Sequence, residues 1–181
     1  MSVFSNPASA AQDEAAAYVS AIFAILGEQN PLTILRRTPA ELRGAVDGRT
    51  PDELQRPERP GKWSALQVIQ HLADSDLVWA YRMRMVLAED RPRLTGYDQD
   101  LWATRLQYQG VNLNDALEQF EVLRTLNLRL LGGLDSAALQ RVGIHSDRGE
   151  ERLDHMVRLY AGHDLVHLRQ LTRILEAAEQ Q

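Results

Sequence analysis

The fold is indicated most clearly by "MVRLYAGHDLVHLRQLTRI", residues 156–174. Six of its residues follow one another at steps of 4, 3, 4, 4 and 3, namely Met156, Tyr160, His163, His167, Leu171 and Ile174. These steps match the period of an α-helix, so the six side chains share one helix face. Because the other four are apolar or aromatic, we predict that this face points into the protein and carries two histidines with it.

The same helical period recurs along most of the chain, and we find no alternating strand pattern. We predict helices over about residues 11–26, 64–90, 114–131 and 149–178. Residues 30–48 are predicted as one kinked helix or two short ones, since start signals occur at Asn30-Pro31 and again at Thr38-Pro39. Residues 48–62 hold three prolines and are predicted as a connecting loop with one helical turn after Thr50.

Composition restricts the classes of protein to which this chain can belong. It has 181 residues, which favours a single domain over residues 1–181, and a net charge of -5, which gives no reason to expect a nucleic-acid partner. The N-terminus lacks the pattern of a signal peptide and no apolar run is long enough to span a membrane, so we predict a cytoplasmic protein. Because the chain has no cysteine, any bound metal would be held by histidine or carboxylate side chains.

A third histidine, His71, lies in the inward series of the predicted helix 64–90. Three imidazoles that point into one bundle bring six ring nitrogens with them, and an unpaired buried polar group costs roughly 1–3 kcal/mol. A shared metal ion would satisfy three of these nitrogens together, and three histidines leave a coordination position of zinc open for water or substrate. The alternative is that His71, His163 and His167 are hydrogen-bonded core residues without a metal.

Other polar residues are weaker candidates. Asp74 is one turn after His71 and could be a fourth ligand, a residue that orients a ligand, or a base; alternatively it is a surface carboxylate paired with an arginine. Asp164 lies in an H-D-x-x-H pattern, but aspartate is shorter than the glutamate of the zinc-protease motif and the supporting strands are missing. His145 and His155 are predicted to face solvent or to cap an element.

Residues 91–111 form a long connection that contains several aromatic side chains. A connection of this length often acts as a lid or as the wall of a pocket. Tyr97, Asp98 and Trp102 are therefore candidates for a pocket wall, although Trp102 could simply plug one end of the bundle.

Three stretches, "GKWSALQVIQHLADSD", "GYDQDLWA" and "YAGHDLVHLRQL", resemble the DinB/YfiT-like superfamily, which includes metal-dependent enzymes. The resemblance covers about residues 31–175. It implies an all-α four-helix bundle with up-down-down-up connectivity, to which this chain adds an N-terminal helix. It also implies one metal held by a histidine from the second bundle helix and two from the last, which correspond here to His71, His163 and His167.

The resemblance does not fix a reaction. We predict a divalent transition metal, zinc or nickel, and metal-dependent hydrolysis or thiol transfer on an unidentified small molecule. The alternative function is a metal-binding stress or interaction protein in which the metal only staples the bundle, and a third possibility is a metal-free dimerisation module. A homodimer is also predicted, because the helix 64–90 carries Trp79, Tyr81, Met83 and Met85 around much of its circumference.

Overall fold

A computed structural model describes residues 12–179, which are mostly helical. The helices are α1 (Gln12–Leu26), α2 (Pro31–Val46), α3 (Pro51–Gln55), α4 (Ala65–Ala88), α5 (Gln99–Arg105), α6 (Leu113–Gly132), α7 (Ser136–Leu139) and α8 (Leu153–Glu179). No helix in this part of the chain is long and apolar enough to cross a membrane. The predicted first residue of α1, Ala11, lies outside the described residues.

Four helices, α2, α4, α6 and α8, form the bundle, and their side-chain contacts give its connectivity. On α2 and α8, Thr38 bonds Asp164 while Arg49, just beyond the end of α2, pairs with Glu179, so these helices run parallel. On α4 and α6, Gln70 bonds Gln119 and Asp76 bonds Arg124, so these helices are also parallel to each other.

The two parallel pairs run in opposite directions. Arg43 pairs with Glu121 and Arg124 bonds the Leu35 carbonyl, so a later position on α2 meets an earlier position on α6. The order is therefore up-down-down-up, and the predicted four-helix bundle with an extra N-terminal helix is confirmed.

The bundle helices begin where the local sequence provides caps. Asn30 and Ser64 accept hydrogen bonds from backbone N–H groups in the first turns of α2 and α4, and Gln67 completes a capping box with Ser64. The uncertain segment 30–48 is a single helix, α2, with Pro39 inside it. The helical turn predicted after Thr50 is α3, which has its own capping box.

The bundle interior contains two apolar clusters with polar side chains between them. One cluster includes Ile34 on α2, Met83 on α4 and Met156 on α8, and the other lies at the opposite end of the same helices. The buried polar residues at mid-height are Thr38, His71, Asp74, Asp76, Arg124, Tyr160, His163, Asp164 and His167. The candidate site therefore belongs to a polar layer in the middle of the core.

The N-terminal helix α1 packs tightly on α8. A Cβ atom built on Gly162 would lie 2.4 Å from Cγ2 of Ile22 and 3.0 Å from its carbonyl oxygen. Only glycine lets the two backbones approach this closely at this point. This contact positions Tyr18, one turn before Ile22, beside the bundle.

Strand pairing was missed by the sequence analysis. Three short strands, β1 (Arg93–Leu94), β2 (Val142–His145) and β3 (Gly149–Arg152), form a sheet with β1 parallel and β3 antiparallel to β2. The predicted start of the last helix at about residue 149 is therefore wrong, because α8 begins at Leu153 after β3. These strands are too short to produce a detectable alternating pattern.

Candidate metal centre

Three histidines converge in the polar layer of the bundle. His71 comes from α4, and His163 and His167 come from successive turns of α8, so the predicted i,i+4 pair meets the third imidazole across the bundle. The Nε2 atom of His163 lies 3.2 Å from Nε2 of His71 and 3.1 Å from Nε2 of His167. Within residues 12–179, this trio is the group of potential ligands close enough to share one ion.

The spacing of these nitrogens fits a shared divalent ion. Two imidazole nitrogens bound to one tetrahedral zinc at 2.0–2.1 Å are separated by about 3.3 Å. Hydrogen bonds between the rings would satisfy these nitrogens less well than a metal ion would. The Nε2 atom of His163 faces two other nitrogens, but a neutral ring carries at most one proton on that atom. A cation at the centre would accept the lone pairs of all three rings.

Burial keeps the three imidazoles neutral, which is the form that binds metals. All three side chains are buried. Desolvation lowers the pKa of His163 and of His167 to about 3, and it lowers the pKa of His71 well below its usual value, with contributions from the neighbouring histidines. At neutral pH each ring therefore has a lone pair available for a metal.

The outer nitrogens of the rings differ in their partners. Nδ1 of His167 lies 2.8 Å from Oε1 of Gln170, so Nδ1 donates and Nε2 keeps its lone pair. Nδ1 of His71 and of His163 is buried with no hydrogen-bond partner in the protein. Gln170 thus fixes the tautomer of His167, and Trp63 packs on the ring of His71 with 5.0 Å between the ring centroids.

A buried ionic cluster lies beside the histidines. The Arg124 guanidinium donates to both carboxylate oxygens of Asp76 and of Asp164, to the Tyr160 hydroxyl and to the Leu35 carbonyl. Burial raises the pKa of Asp76 to about 6, although Arg124 opposes this shift. With two carboxylates around one arginine, the cluster can place up to one net negative charge next to a metal cation.

Sequence reasoning missed the role of this cluster. Arg124 lies at an inward position of α6, but neither Arg124 nor Asp76 was singled out from the sequence. An arginine at an inward helical position is the signal that could have found it, because a buried arginine requires carboxylate partners. The partners themselves lie 40 and 48 residues away along the chain, beyond the reach of local patterns.

Asp74 is not the surface carboxylate that one interpretation predicted. It is buried, and its oxygens accept hydrogen bonds from Gln70, Gln119 and the Tyr108 hydroxyl rather than from an arginine. It does not belong to the histidine group within the part of the chain that the structure describes. Through these contacts Asp74 links α4, α6 and the end of the 91–111 connection, which is a structural role.

A small cavity opens beside His163. Its volume is about 40 Å³, and the 91–111 connection contributes Gly96, Tyr97 and Gln99 to its wall. The Tyr97 hydroxyl lies 3.1 Å from the Ser75 hydroxyl, which in turn lies 3.4 Å from Nε2 of His71. Tyr97 is therefore part of a pocket wall, as predicted.

The two other residues predicted on that wall have different positions. Asp98 accepts a hydrogen bond from the Leu101 N–H and begins α5, so its carboxylate is an N-cap. Trp102 packs on Tyr97 with ring centroids 4.4 Å apart, and it lines an outer groove of the protein beside α4. Trp102 thus contacts the ring of Tyr97 without lining the cavity beside His163.

Of the two roles predicted for His145, facing solvent is wrong, whereas a capping role agrees with the hydrogen bond that its Nδ1 accepts from the Asp147 N–H. The His145 side chain is 2% exposed at the end of β2, where the sheet covers one end of α4. Local sequence could not reveal this burial, because it depends on the missed sheet. His155 is half-buried and packs edge-on against Phe23 of α1, with 4.8 Å between ring centroids.

Comparison with known proteins agrees with this architecture. The "Putative metal-dependent hydrolase YfiT" of Bacillus subtilis is 28% identical over 144 residues, covering 79% of this chain and 81% of that protein. A "putative metal-dependent hydrolase" of Halalkalibacterium halodurans is 31% identical over 123 residues, covering 68% of this chain and 71% of that one.

A solved structure shares the fold as well. YfiT from Bacillus subtilis, described as "a probable metal-dependent hydrolase with an unusual four-helix bundle topology", matches with a TM-score of 0.75 and 28% identity, covering 80% of this chain and 83% of that one. The model of the DinB superfamily matches residues 34–171, which include all three histidines of the candidate centre. The chain therefore belongs to the DinB superfamily.

Proposed function

We propose that this protein is a metal-dependent hydrolase of a small molecule, with His71, His163 and His167 as the ligands of one divalent ion. The observation that carries the proposal is the convergence of three neutral Nε2 atoms without a carboxylate in the group, beside a cavity that His163 lines. A structural zinc site is usually closed by four protein ligands, whereas a catalytic site keeps a position open. The metal-staple alternative is less well supported for this reason.

Some residues of the chain would bind the metal ion, and others would orient the groups around it. A divalent ion held by the three histidines would supply Lewis acidity for hydrolysis. Gln170 holds the His167 ring in the metal-binding tautomer, and Ser75 and Tyr97 present hydroxyl groups toward the cavity. We favour hydrolysis over thiol transfer because the relatives that match this chain carry the hydrolase name.

Zinc and nickel are the ions we propose. Neutral imidazole suits both, and the absence of cysteine removes the thiolates that would favour softer ions. The choice between the two requires elemental analysis of protein that was purified without a nickel column.

The ligand assignment is tested by single replacements. His71→Ala, His163→Ala and His167→Ala should each lower the metal content per chain at least tenfold after dialysis, while helical circular dichroism persists. His155→Ala is the matched control, because His155 is half-buried in the same chain outside the trio, and it should keep full metal content. Full metal content in all three variants would overturn the ligand set.

The reaction class is tested separately with loaded protein. Small esters and amides should be hydrolysed by the wild type and not by His163→Ala. Equal hydrolysis by both proteins would indicate a contaminating enzyme. If metal-loaded wild-type protein hydrolyses none of a broad set of esters and amides, the alternative in which the metal only stabilises the bundle would be favoured.

We also propose that the protein forms a homodimer through α4. Of the four bulky residues on which the prediction of a homodimer rests, Trp79 and Met83 are buried and Met85 is half-buried. Tyr81 and Leu77, one turn apart, are 65% and 49% exposed, beside an apolar groove. A second copy of this chain could cover both residues with its own α4.

Light scattering with a paired variant tests the dimer. Wild-type protein should have twice the chain mass, and Tyr81→Glu should shift it to the monomer by burying a charge in the interface. Val122→Glu is a control with the same charge change, because Val122 is 52% exposed on α6, and this variant should stay dimeric. A monomeric wild type at high concentration would contradict this proposal.

A further inference from the structure

The cavity beside His163 contains an arginine whose charge has no carboxylate partner. Arg82 of α4 is 6% exposed and donates to the Thr95 carbonyl. Among the described residues, no carboxylate lies within the 4.0 Å that defines an ion pair with it. Burial, followed by the nearby Arg148, lowers the pKa of Arg82 to about 10, so the group is still cationic at neutral pH.

The other cation of the cavity is already neutralised. Arg148 makes two hydrogen bonds to the carboxylate of Glu151, of 2.6 and 2.9 Å. Its charge is therefore compensated within the sheet. Arg82 has no such contact, since Glu151 and Asp147 act on its charge only from beyond ion-pair distance, and a buried charge without a close partner is unfavourable.

His145 contributes a second unsatisfied group to the same wall. Its Nδ1 accepts a hydrogen bond from the Asp147 backbone N–H at 3.1 Å, so in the neutral ring the proton resides on Nε2. Burial lowers the pKa of His145 to about 3, which keeps the ring neutral. Nε2 is therefore a buried donor with no partner in the protein, and it belongs to a side chain that lines the cavity.

Both groups favour an anionic oxygen ligand. A guanidinium presents parallel N–H groups that match the two oxygens of a carboxylate, and such charge-assisted pairs are stronger than neutral ones. The wall is rich in donors, since Tyr97 also carries a hydroxyl there. A cation without a close carboxylate and a buried donor without a partner, both on side chains that line one cavity, are expected where a ligand supplies the missing partner.

The size of the cavity limits the group that it can hold. A volume of about 40 Å³ is far below the roughly 300–1,000 Å³ of a pocket that encloses a drug-sized ligand. It is appropriate for a single carboxylate group. Because His163 lines the same cavity, a carboxylate held there would lie next to the candidate metal centre.

We propose that Arg82 and the Nε2–H of His145 form a carboxylate-binding subsite, so the substrate is a small carboxylic acid whose carboxylate lies near the bond that reacts. This inference rests on the proposed function, which it extends by naming the substrate class. The sheet and the 91–111 connection, which carry His145 and Tyr97, then act in substrate selection.

Binding measurements on the metal-free protein test the subsite. The metal should be removed with a chelator that has no carboxylate, such as phenanthroline, because a carboxylate chelator would compete. Calorimetric titration with acetate and succinate at constant ionic strength should give saturable binding, and acetamide should give none. Failure of both carboxylates to bind the wild type would overturn the inference.

Variants then locate the binding. Arg82→Gln should weaken carboxylate binding about tenfold or more, consistent with the loss of a charged hydrogen bond. His145→Phe should weaken it severalfold while leaving Arg82 in place, and this variant serves if Arg82→Gln does not fold. Arg84→Gln is the matched control, because Arg84 is on the same helix but bonds Ala80 and Asn127 instead of lining the cavity. It should bind as the wild type does.

The outcomes separate this inference from the proposed function. Binding that requires the metal and is unchanged in Arg82→Gln would mean that carboxylates ligate the metal directly, which overturns the subsite. Binding of inorganic phosphate in preference to carboxylates would overturn the assignment to carboxylic acids. Metal content should be unchanged in Arg82→Gln and His145→Phe, so the absence of carboxylate binding would not contradict the histidine ligand set. Conversely, if the histidine replacements do not lower the metal content, carboxylate binding by the metal-free protein would still be valid.

Discussion

At the scale of single residues, the protonation of four buried histidines dominates the chemistry. His71, His145, His163 and His167 are all held neutral by burial, and three of them face one another. Neutral rings suit metal binding, but the same burial penalises the imidazolium form. If the proposed ligand set is correct, three of these four groups govern metal affinity as well as acid stability.

The metal-free protein should lose stability as the pH falls from 7.5 to 5.5. The unfolded histidines titrate near 6.5 while the folded ones stay neutral, so the unfolded state binds more protons and each histidine costs roughly 1.4 kcal/mol over this range. Asp76 acts in the opposite direction, because its pKa is raised to about 6 and protonation there favours the folded state. One aspartate offsets only part of the effect of four histidines.

Urea unfolding at the two pH values measures this loss. His145→Gln removes one of the four titrating groups without changing the proposed metal ligands. Between pH 7.5 and 5.5, this variant should therefore lose roughly 1.4 kcal/mol less free energy of unfolding than the wild type. Equal stability at both pH values would mean that the folded histidines bind protons as readily as the unfolded ones, so that burial does not hold them neutral.

At the scale of elements, close contacts decide how α1 and the sheet meet the bundle. Gly162 admits α1 against α8, and Gly143 of β2 is packed so that an added Cβ would lie 2.8 Å from a methyl group of Val86 on α4. α1 brings Tyr18 to the cavity, and β2 brings His145. Elements outside the four-helix bundle thus build half of the wall beside the candidate centre.

Gly162→Ala should destabilise the protein by about 1–3 kcal/mol, the usual cost of overpacking, because its Cβ would overlap Ile22. Gly44→Ala on α2 is the matched control. Its Cβ would meet nothing within 4 Å, and alanine in a helix is favoured over glycine by roughly 0.5–1 kcal/mol. Thermal unfolding should therefore move in opposite directions for the two variants, and a neutral Gly162→Ala would show that α1 can shift without cost.

At the scale of the whole molecule, the Arg124 cluster connects all four bundle helices. Arg124 itself is on α6 and bonds Asp76 on α4, Asp164 on α8 and the Leu35 carbonyl on α2, while Thr38 bonds Asp164. Because His163 and Asp164 are neighbours in sequence, the cluster also fixes the part of α8 that carries the candidate ligands. The geometry of the histidines therefore depends on an ionic network that spans the core.

Arg124→Met should cost about 3–5 kcal/mol, because it leaves two buried carboxylates without their cation. Arg43→Met is the matched control: Arg43 pairs with Glu121 between the same α2 and α6, but the pair is largely exposed and worth at most about 1 kcal/mol. Chemical denaturation measures both. Similar losses in the two variants would mean that the buried cluster contributes no more than a surface pair.

The sequence by itself determined the helices and the inward direction of the histidines. The stripe Met156 to Ile174 and the caps at Asn30 and Ser64 are local signals, since helical period and end-capping involve residues within a few positions of one another. Together with the family resemblance, they were enough to predict the bundle and the three residues of the candidate centre.

Only the tertiary structure decided what surrounds those histidines. The sheet that buries His145, the carboxylates that neutralise Arg124 and the cavity that Arg82 lines all join residues that are tens of positions apart. Two-residue and four-residue strands have too few positions to show a period, and a charged residue in an inward series gives no indication of its partner. Burial and charge compensation depend on which distant segments pack together, so they are properties of the assembled core rather than of any one stretch of sequence.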